Sequence, residues 1–216
     1  MKHKIIFIIL LTLFFTNSSF ATDSDIKLLF SKADCKEIEG FGFDRKGRII
    51  KYGGDNFGSL YHICNWKNYR LTFEIARAAV SGIPVSIGET IIEKKDSKKG
   101  KYQEIDFRSV FIEDSISPMM KQINASIHES LEKDPIKKYI KDINKVYDFE
   151  ELGFVPNIGK GEYSPFSVVQ IYFALELDRD KIDKSNESDV SEMYEGNVDL
   201  VRSINISIDL IQEWLK

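Results

Sequence analysis

The chain has 216 residues, 43% of them hydrophobic and 30% charged, with 30 lysines and arginines against 34 aspartates and glutamates. That length allows one domain or two small ones. The net charge of −4 offers no basic excess to hold a polyphosphate backbone, so nucleic acid is not an expected partner.

The first element is a targeting segment. MKHK is basic, IIFIILLTLFF is apolar, and Ser19-Phe20-Ala21 places small residues at −3 and −1. This is the pattern of a secretory signal peptide over residues 1–21, cleaved after Ala21. Its apolar run is shorter than the roughly 20 residues that span a bilayer, and no later segment is apolar enough to do so. Removing 21 of 216 residues leaves 195, and losing Lys2 and Lys4 leaves 28 basic against 34 acidic side chains, a net charge of −6. The expectation is export, to the periplasm or beyond, with no integral membrane span after cleavage. In an exported chain the two cysteines, Cys35 and Cys64, are expected to pair. The loop they close would stabilise the fold by about 3 to 4 kcal/mol.

After a short lead-in, TDSDIKLLFSKAD, the period becomes two. KEIEGFGF (36–43) reads as a strand bent at its glycines, DRKG (44–47) as a turn and RIIKY (48–52) as a second strand. SLYHICNW (59–66) is a third, with Leu60, His62, Cys64 and Trp66 on one face and Tyr61 and Ile63 on the other. In NYRLTFEIARAAVSG, Arg70, Glu74, Arg77 and Ser81 line a narrow polar face with helical spacing. This predicts a helix, ended by Gly82 and Pro84. PVSIGETII and YQEIDFRSVFI (102–112) are two more strands around a charged hairpin tip. The order β-β-β-α-β-β is that of a five-stranded OB-like barrel over residues 22–113.

The remainder, 114–216, reads as a helix-rich α+β region, making the whole chain α+β. Met119, Ile123, Ile127 and Leu131 share a face of a helix over 118–133. Asp134-Pro135 caps another helix, with Ile136, Ile140, Ile143 and Val146 on its core face. ELGFVPNIGKGEYSP is a loop. FSVVQIYFALELD alternates as a long strand with Val169, Ile171, Phe173, Leu175 and Leu177 inward. DRDKIDKSNESDVSE is an acidic, polar loop. Residues 197–216 fit both periods, and the longer helical register is favoured.

Taken together, GFGFDRKGRIIKY, the cysteine in HICNW and LTFEIARAAVSGIPVSIG form a pattern similar to small exported bacterial proteins. Across residues 35–113 the chain resembles the receptor-binding B subunits of bacterial toxins. That resemblance implies an OB-type barrel and a binding role, often toward glycans. About a hundred residues lie beyond the shared pattern, so the resemblance leaves the oligomeric state open.

Catalytic and metal motifs are sparse. Cys35 and Cys64 lack the C-x-x-C spacing that lowers a thiol pKa. His62 has no second ligand cluster, and His128-Glu129 lacks the second histidine of H-E-x-x-H because position 132 is glutamate. There is no G-x-S-x-G elbow and no phosphate-binding glycine loop ahead of a helix; GGDNFG joins two strands. Glu150-Glu151 is one carboxylate pair among many. No metal and no cofactor are therefore expected. Aromatic side chains stack on sugar rings and favour interfaces, which singles out Tyr52, Phe57 and Tyr61 as candidate binding residues. The expected function is an exported, non-enzymatic binding protein that recognises a glycan or a protein surface. An acidic periplasmic immunity or inhibitor protein facing a basic toxin is the alternative. A secreted hydrolase with its site in the second half is a further one.

Overall fold

The computed structural model describes residues 23–39, 41–43, 49–51, 59–77, 84–157, 168–183 and 199–216. Its centre is a hairpin of β4 (Ser59–Trp66) and β5 (Tyr69–Arg77). A two-residue connection sets Trp66 opposite Tyr69, with Lys67 at φ +51°. Tight hairpins need such a positive φ to match the twist of their strands. The helix expected from residue 69 is thus corrected to a strand over 69–77, while 78–83, Gly82 included, lie outside the described residues. Tyr69, Leu71, Phe73 and Ile75 alternate as well as Arg70 and Glu74 keep helical spacing. Aromatic and β-branched side chains favour the pleated alternative once β4 offers a ladder.

Around this hairpin an antiparallel sheet forms in the order β1–β4–β5–β7–β8, where β1 is Asp34–Glu39, β7 Ile91–Lys95 and β8 Tyr102–Ile105. Strand β6 (Pro84–Ile87) pairs with β5 on the same edge as β7. The expected single strand PVSIGETII is therefore two strands, parted at 88–90, where the Gly88 N–H donates to the Glu74 carbonyl at 2.8 Å. Residues 36–43 are also divided. β2 (Phe41–Phe43) leaves β1 to pair with β3 (Ile49–Lys51) in a separate hairpin. The DRKG turn lies outside the described residues. β1 and β8 remain edges, and neither sheet closes, so the five-stranded OB-like barrel is corrected to open antiparallel sheets. The segment assigned to the barrel's helix is instead the middle strand of the larger one.

The second sheet has the order β11–β10–β9, with β9 Gly153–Asn157, β10 Val168–Glu176 and β11 Asp199–Ser207. β10 alternates as expected, with Val169, Ile171, Phe173 and Leu175 buried. The helix-rich second half is corrected: three strands stand there beside α2 (Glu113–Lys133), the short α3 (Arg179–Asp183) and α4 (Ile208–Trp214). The favoured helix over 197–216 is half right. β11 uses the alternation of Leu200, Ile204 and Ile206 to pair with β10, and α4 starts only at Ile208. Asp134 caps as expected, accepting from the Ile136 N–H at 2.9 Å, but over a single 3-10 turn. The lead-in forms α1, Asp23–Lys32.

One hydrophobic cluster joins these pieces. It takes Leu29 and Phe30 from α1, Leu71 and Ile92 from the first sheet, Met119, Ile123 and Ile127 from α2, Phe154, Ile171 and Phe173 from the second sheet, and Ile211 from α4. Each such buried side chain contributes roughly 1.5 to 3 kcal/mol. The sheets meet where Phe73 of β5 lies over Gly153 of β9, so closely that a Cβ there would sit 2.1 Å from the ring. The Phe154 N–H, on the free edge of β9, donates to Thr90 Oγ1 at 2.9 Å. At the other end the C-terminus is stitched to the residues before α2, with Ile112 N–H donating to the Trp214 carbonyl and Lys216 N–H to that of Val110.

Candidate functional site

On α2 the apolar stripe of Ile116, Met119, Ile123 and Ile127 carries one polar member, Asn124, also buried. A buried amide must find partners or lose its solvation uncompensated. Asn124 finds them on a loop segment that runs back along the helix. Its Oδ1 accepts from the Tyr147 N–H at 2.8 Å, and its Nδ2 donates to the Tyr147 carbonyl at 3.0 Å and to that of Met120 at 2.9 Å. One turn on, His128 Nε2 lies 3.0 Å from the Lys145 carbonyl. A carbonyl can only accept, so that nitrogen carries the proton. The helix thus holds the backbone of 145–147 from behind. Tyr147 turns inward and donates to the Ala174 carbonyl at 3.0 Å. Burial first, then Glu151 and Asp142, push its hydroxyl up to about 12. With Tyr147 buried at 3% exposure, its neighbour Val146 points out, 69% exposed.

Between α2 and this wall runs an open groove of about 670 Å³, with Ile116, Met120, Ala125, Val146 and Phe149 as its apolar lining. A second groove of about 320 Å³ lies beyond it, lined by Thr90, Ile105, Phe107 and Leu152 with Glu89, Glu104 and Asp106. The two share Arg108, Phe149 and Glu150. Arg108 sits at the junction, its Nη1 3.1 Å from Glu150, its Nη2 3.6 Å from Glu113 and its guanidinium 5.9 Å from the centre of the Phe149 ring. The shared wall is firm: Phe107, Phe111, Phe149 and Phe154 all contact one another, with ring centres 5.2 to 5.8 Å apart. The ion pairs of Arg108 are exposed, and such pairs contribute about 0 to 1 kcal/mol.

A smaller pocket of about 120 Å³ lies between β1 and β9. Cys35 and Cys64, direct partners across β1 and β4, form the expected disulfide on its wall. His62 is 5% exposed there, tilted against Tyr172 with ring centres 5.6 Å apart, and its Nδ1 is 3.6 Å from Glu37. Its Nε2 has no hydrogen-bond partner among the described residues. Burial lowers its pKa, opposed by Glu37 and reinforced by Arg77.

Of the expected binding residues, Tyr61 lines none of these three pockets. Tyr61 is half-buried within β4, opposite Ile38 and Glu74 in the ladder, and Tyr52 and Phe57 lie outside the described residues. Of the Glu150-Glu151 pair, Glu150 reaches the groove junction, while Glu151 accepts from the Asp148 N–H at 2.8 Å and pairs with Lys145. His128, half-buried, meets the Lys145 carbonyl, and Val146, expected inward on a helix, points outward from a loop. The site residues that sequence reasoning missed are Asn124, Arg108 and Phe149. A signal existed for one of them: Asn124 is a polar residue in the register of an apolar stripe.

Among the described residues no group of three histidine, cysteine, aspartate or glutamate side chains could hold a metal ion, and no helix is long and apolar enough to cross a membrane. No family model, no curated protein and no solved structure matches the chain.

Proposed function

We propose that this chain is an exported, non-enzymatic binding protein that recognises another protein through the groove beside α2, as an inhibitor or immunity protein would. The observation that carries this reading is the use of Asn124: its carboxamide pins Tyr147 from behind and so holds Val146 open to solvent. A wall fixed before binding loses little conformational freedom when a partner arrives. Apolar lining with a few convergent polar groups is the usual make-up of a recognition site. Glycan recognition is less well supported, because Tyr61 is half-buried on a strand paired along both edges. Catalysis is also less well supported. Glu89, Glu104, Asp106 and Glu150 line the second groove, but all are exposed, whereas a general acid working near neutral pH needs burial to raise its pKa.

The disulfide fits an oxidising compartment. The basic, apolar and small-residue order of residues 1–21 supports a periplasmic or secreted destination.

The test is selection of displayed random peptides against the oxidised mature protein. Selected peptides are expected to lose binding in Val146→Ser while the melting temperature stays within a degree or two of wild type. Peptides that bind Val146→Ser as well as wild type, or glycan-array binding that Tyr61→Ala removes, would overturn the reading.

A further inference from the structure

We infer that the partner of this groove presents a cationic side chain at the Arg108 junction, next to an apolar residue seated on Val146. This rests on the groove being a protein-binding site. It adds the chemistry of what binds.

Charge is the first ground. The two grooves are lined by six carboxylates, those of Glu89, Glu104, Asp106, Glu113, Asp148 and Glu150, against the cations Arg108 and Lys121. Carboxylates gathered along a concave surface repel one another and make the local potential negative, which concentrates cations there. Nucleic acids and anionic lipid surfaces are disfavoured by the same field. Small polyamines would satisfy the charge but leave the apolar lining uncovered.

Arg108 is the second ground, because it already occupies the position the inference assigns to a partner's cation. Its guanidinium lies between Glu113 and Glu150 and near the face of Phe149. Two carboxylates and an aromatic ring are the surroundings in which a desolvating guanidinium is best held. Yet Arg108 and Lys121 together do not offset Glu113, Asp148 and Glu150, so this groove stays net negative with Arg108 in place. Its contacts are exposed, and so exchangeable for those of an incoming arginine or lysine. Arg108 therefore acts as an internal competitor for the partner's cation. Val146, on the wall of the same groove, supplies the apolar seat that distinguishes a polypeptide from a bare cation.

The experiment uses three fluorescein-labelled peptides of equal length, alternating leucine with arginine, with glutamine or with glutamate. Binding to the oxidised mature chain is followed by anisotropy. The arginine peptide is expected to bind at least tenfold tighter than the glutamine peptide, and the glutamate peptide not at all. Raising salt from 0.05 to 0.5 M should weaken the arginine peptide several-fold. The double variant Glu113→Gln/Glu150→Gln should weaken it at least fivefold, Val146→Ser should weaken it, and Arg108→Gln should tighten it. These four positions are exposed, so melting curves near that of wild type will show the fold intact. Equal binding of arginine and glutamine peptides, both weakened by Val146→Ser, would overturn the cationic partner and leave the groove standing. Weaker binding in Arg108→Gln would do the same, since Arg108 would then be a contact and not a competitor. Binding indifferent to Val146→Ser, or no binding of any peptide, would remove the groove and the inference together.

Discussion

Two contact regions of this chain are built on opposite principles. Where β9 crosses the first sheet, the Phe73 ring rests on Gly153, and Leu60, Ile75 and Val155 close around it, with the rings of His62 and Tyr172 packed alongside. Along α2, by contrast, a loop segment is tied to the helix by the polar side chains of Asn124 and His128, and its outward residue is an exposed valine. The first region packs a ring against backbone so tightly that not even a Cβ fits at residue 153. The second fixes a backbone while leaving a groove open beside it. A chain that can pack extended backbone directly onto its core, as at β9, has no structural need of the open version, and this is why the groove reads as a surface for a partner.

The largest expected effect comes from forcing the closed region open. Gly153→Ala would place a Cβ 2.1 Å from ring atoms of Phe73, which is fully buried and has no room to turn aside. Overpacking of this severity should cost about 3 kcal/mol, the upper end of the usual range. Urea unfolding would measure it. In the Phe73→Leu background the same substitution should cost less, because the smaller side chain vacates the space, giving a coupling of opposite sign to the single effects. A cost unchanged by Phe73→Leu would mean that the ring is not what excludes the Cβ.

A smaller effect is expected in the open region. Asn124→Ala leaves the buried N–H and carbonyl of Tyr147 without partners, at about 1 to 3 kcal/mol. The distinguishing readout is location. Amide exchange should quicken first at Tyr147 and its neighbours, with the Phe73 region still protected, whereas Gly153→Ala should quicken exchange throughout. Peptide binding at the groove should weaken in Asn124→Ala, since its wall is no longer fixed. Uniform loss of protection in both variants would erase the contrast between the two regions.

The same contrast decides what could be read from the sequence. β10 was legible because its inward face is buried while most of its other face is half-exposed, which writes a clean alternation. α2 was legible from its stripe, and the disulfide from two cysteines in a chain with the sequence pattern of a signal peptide. β5 was not, because residues 69–73 and 75 are all buried, and a strand covered on both faces has the broad apolar surface of a buried helix. β9 was missed because it contains Gly153 and Pro156, residues that strands usually avoid. Gly153 is required by the Phe73 ring, and Pro156 is tolerated on an edge strand. In the groove, Asn124 left a trace in the helical register. Arg108 and Val146 left none, because their roles depend on where 145–150 crosses α2, which no local pattern encodes.

The smallest expected effect tests whether the closed region is as intolerant of charge as of volume. His62 is buried beside Phe73 and Tyr172, and its folded pKa is lowered, chiefly by that burial. Glu37 on β1 faces it and favours the charged ring, Arg77 on β5 opposes it, and Tyr172 on β10 stays neutral because burial and Glu37 push its hydroxyl up to about 12. A histidine with a lowered folded pKa is neutral in the native state while its unfolded counterpart takes up a proton below about 6.5. The unfolded state then binds more protons, so stability is full above that pH and declines as pH falls below it. His62→Phe removes the titration and keeps an aromatic ring in the seam. The urea midpoint of wild type should therefore fall between pH 7.5 and 5.5 by more than that of His62→Phe. Parallel declines in the two proteins would mean that Glu37, exposed though it is, already compensates a charged ring, and that this end of the closed region admits a proton.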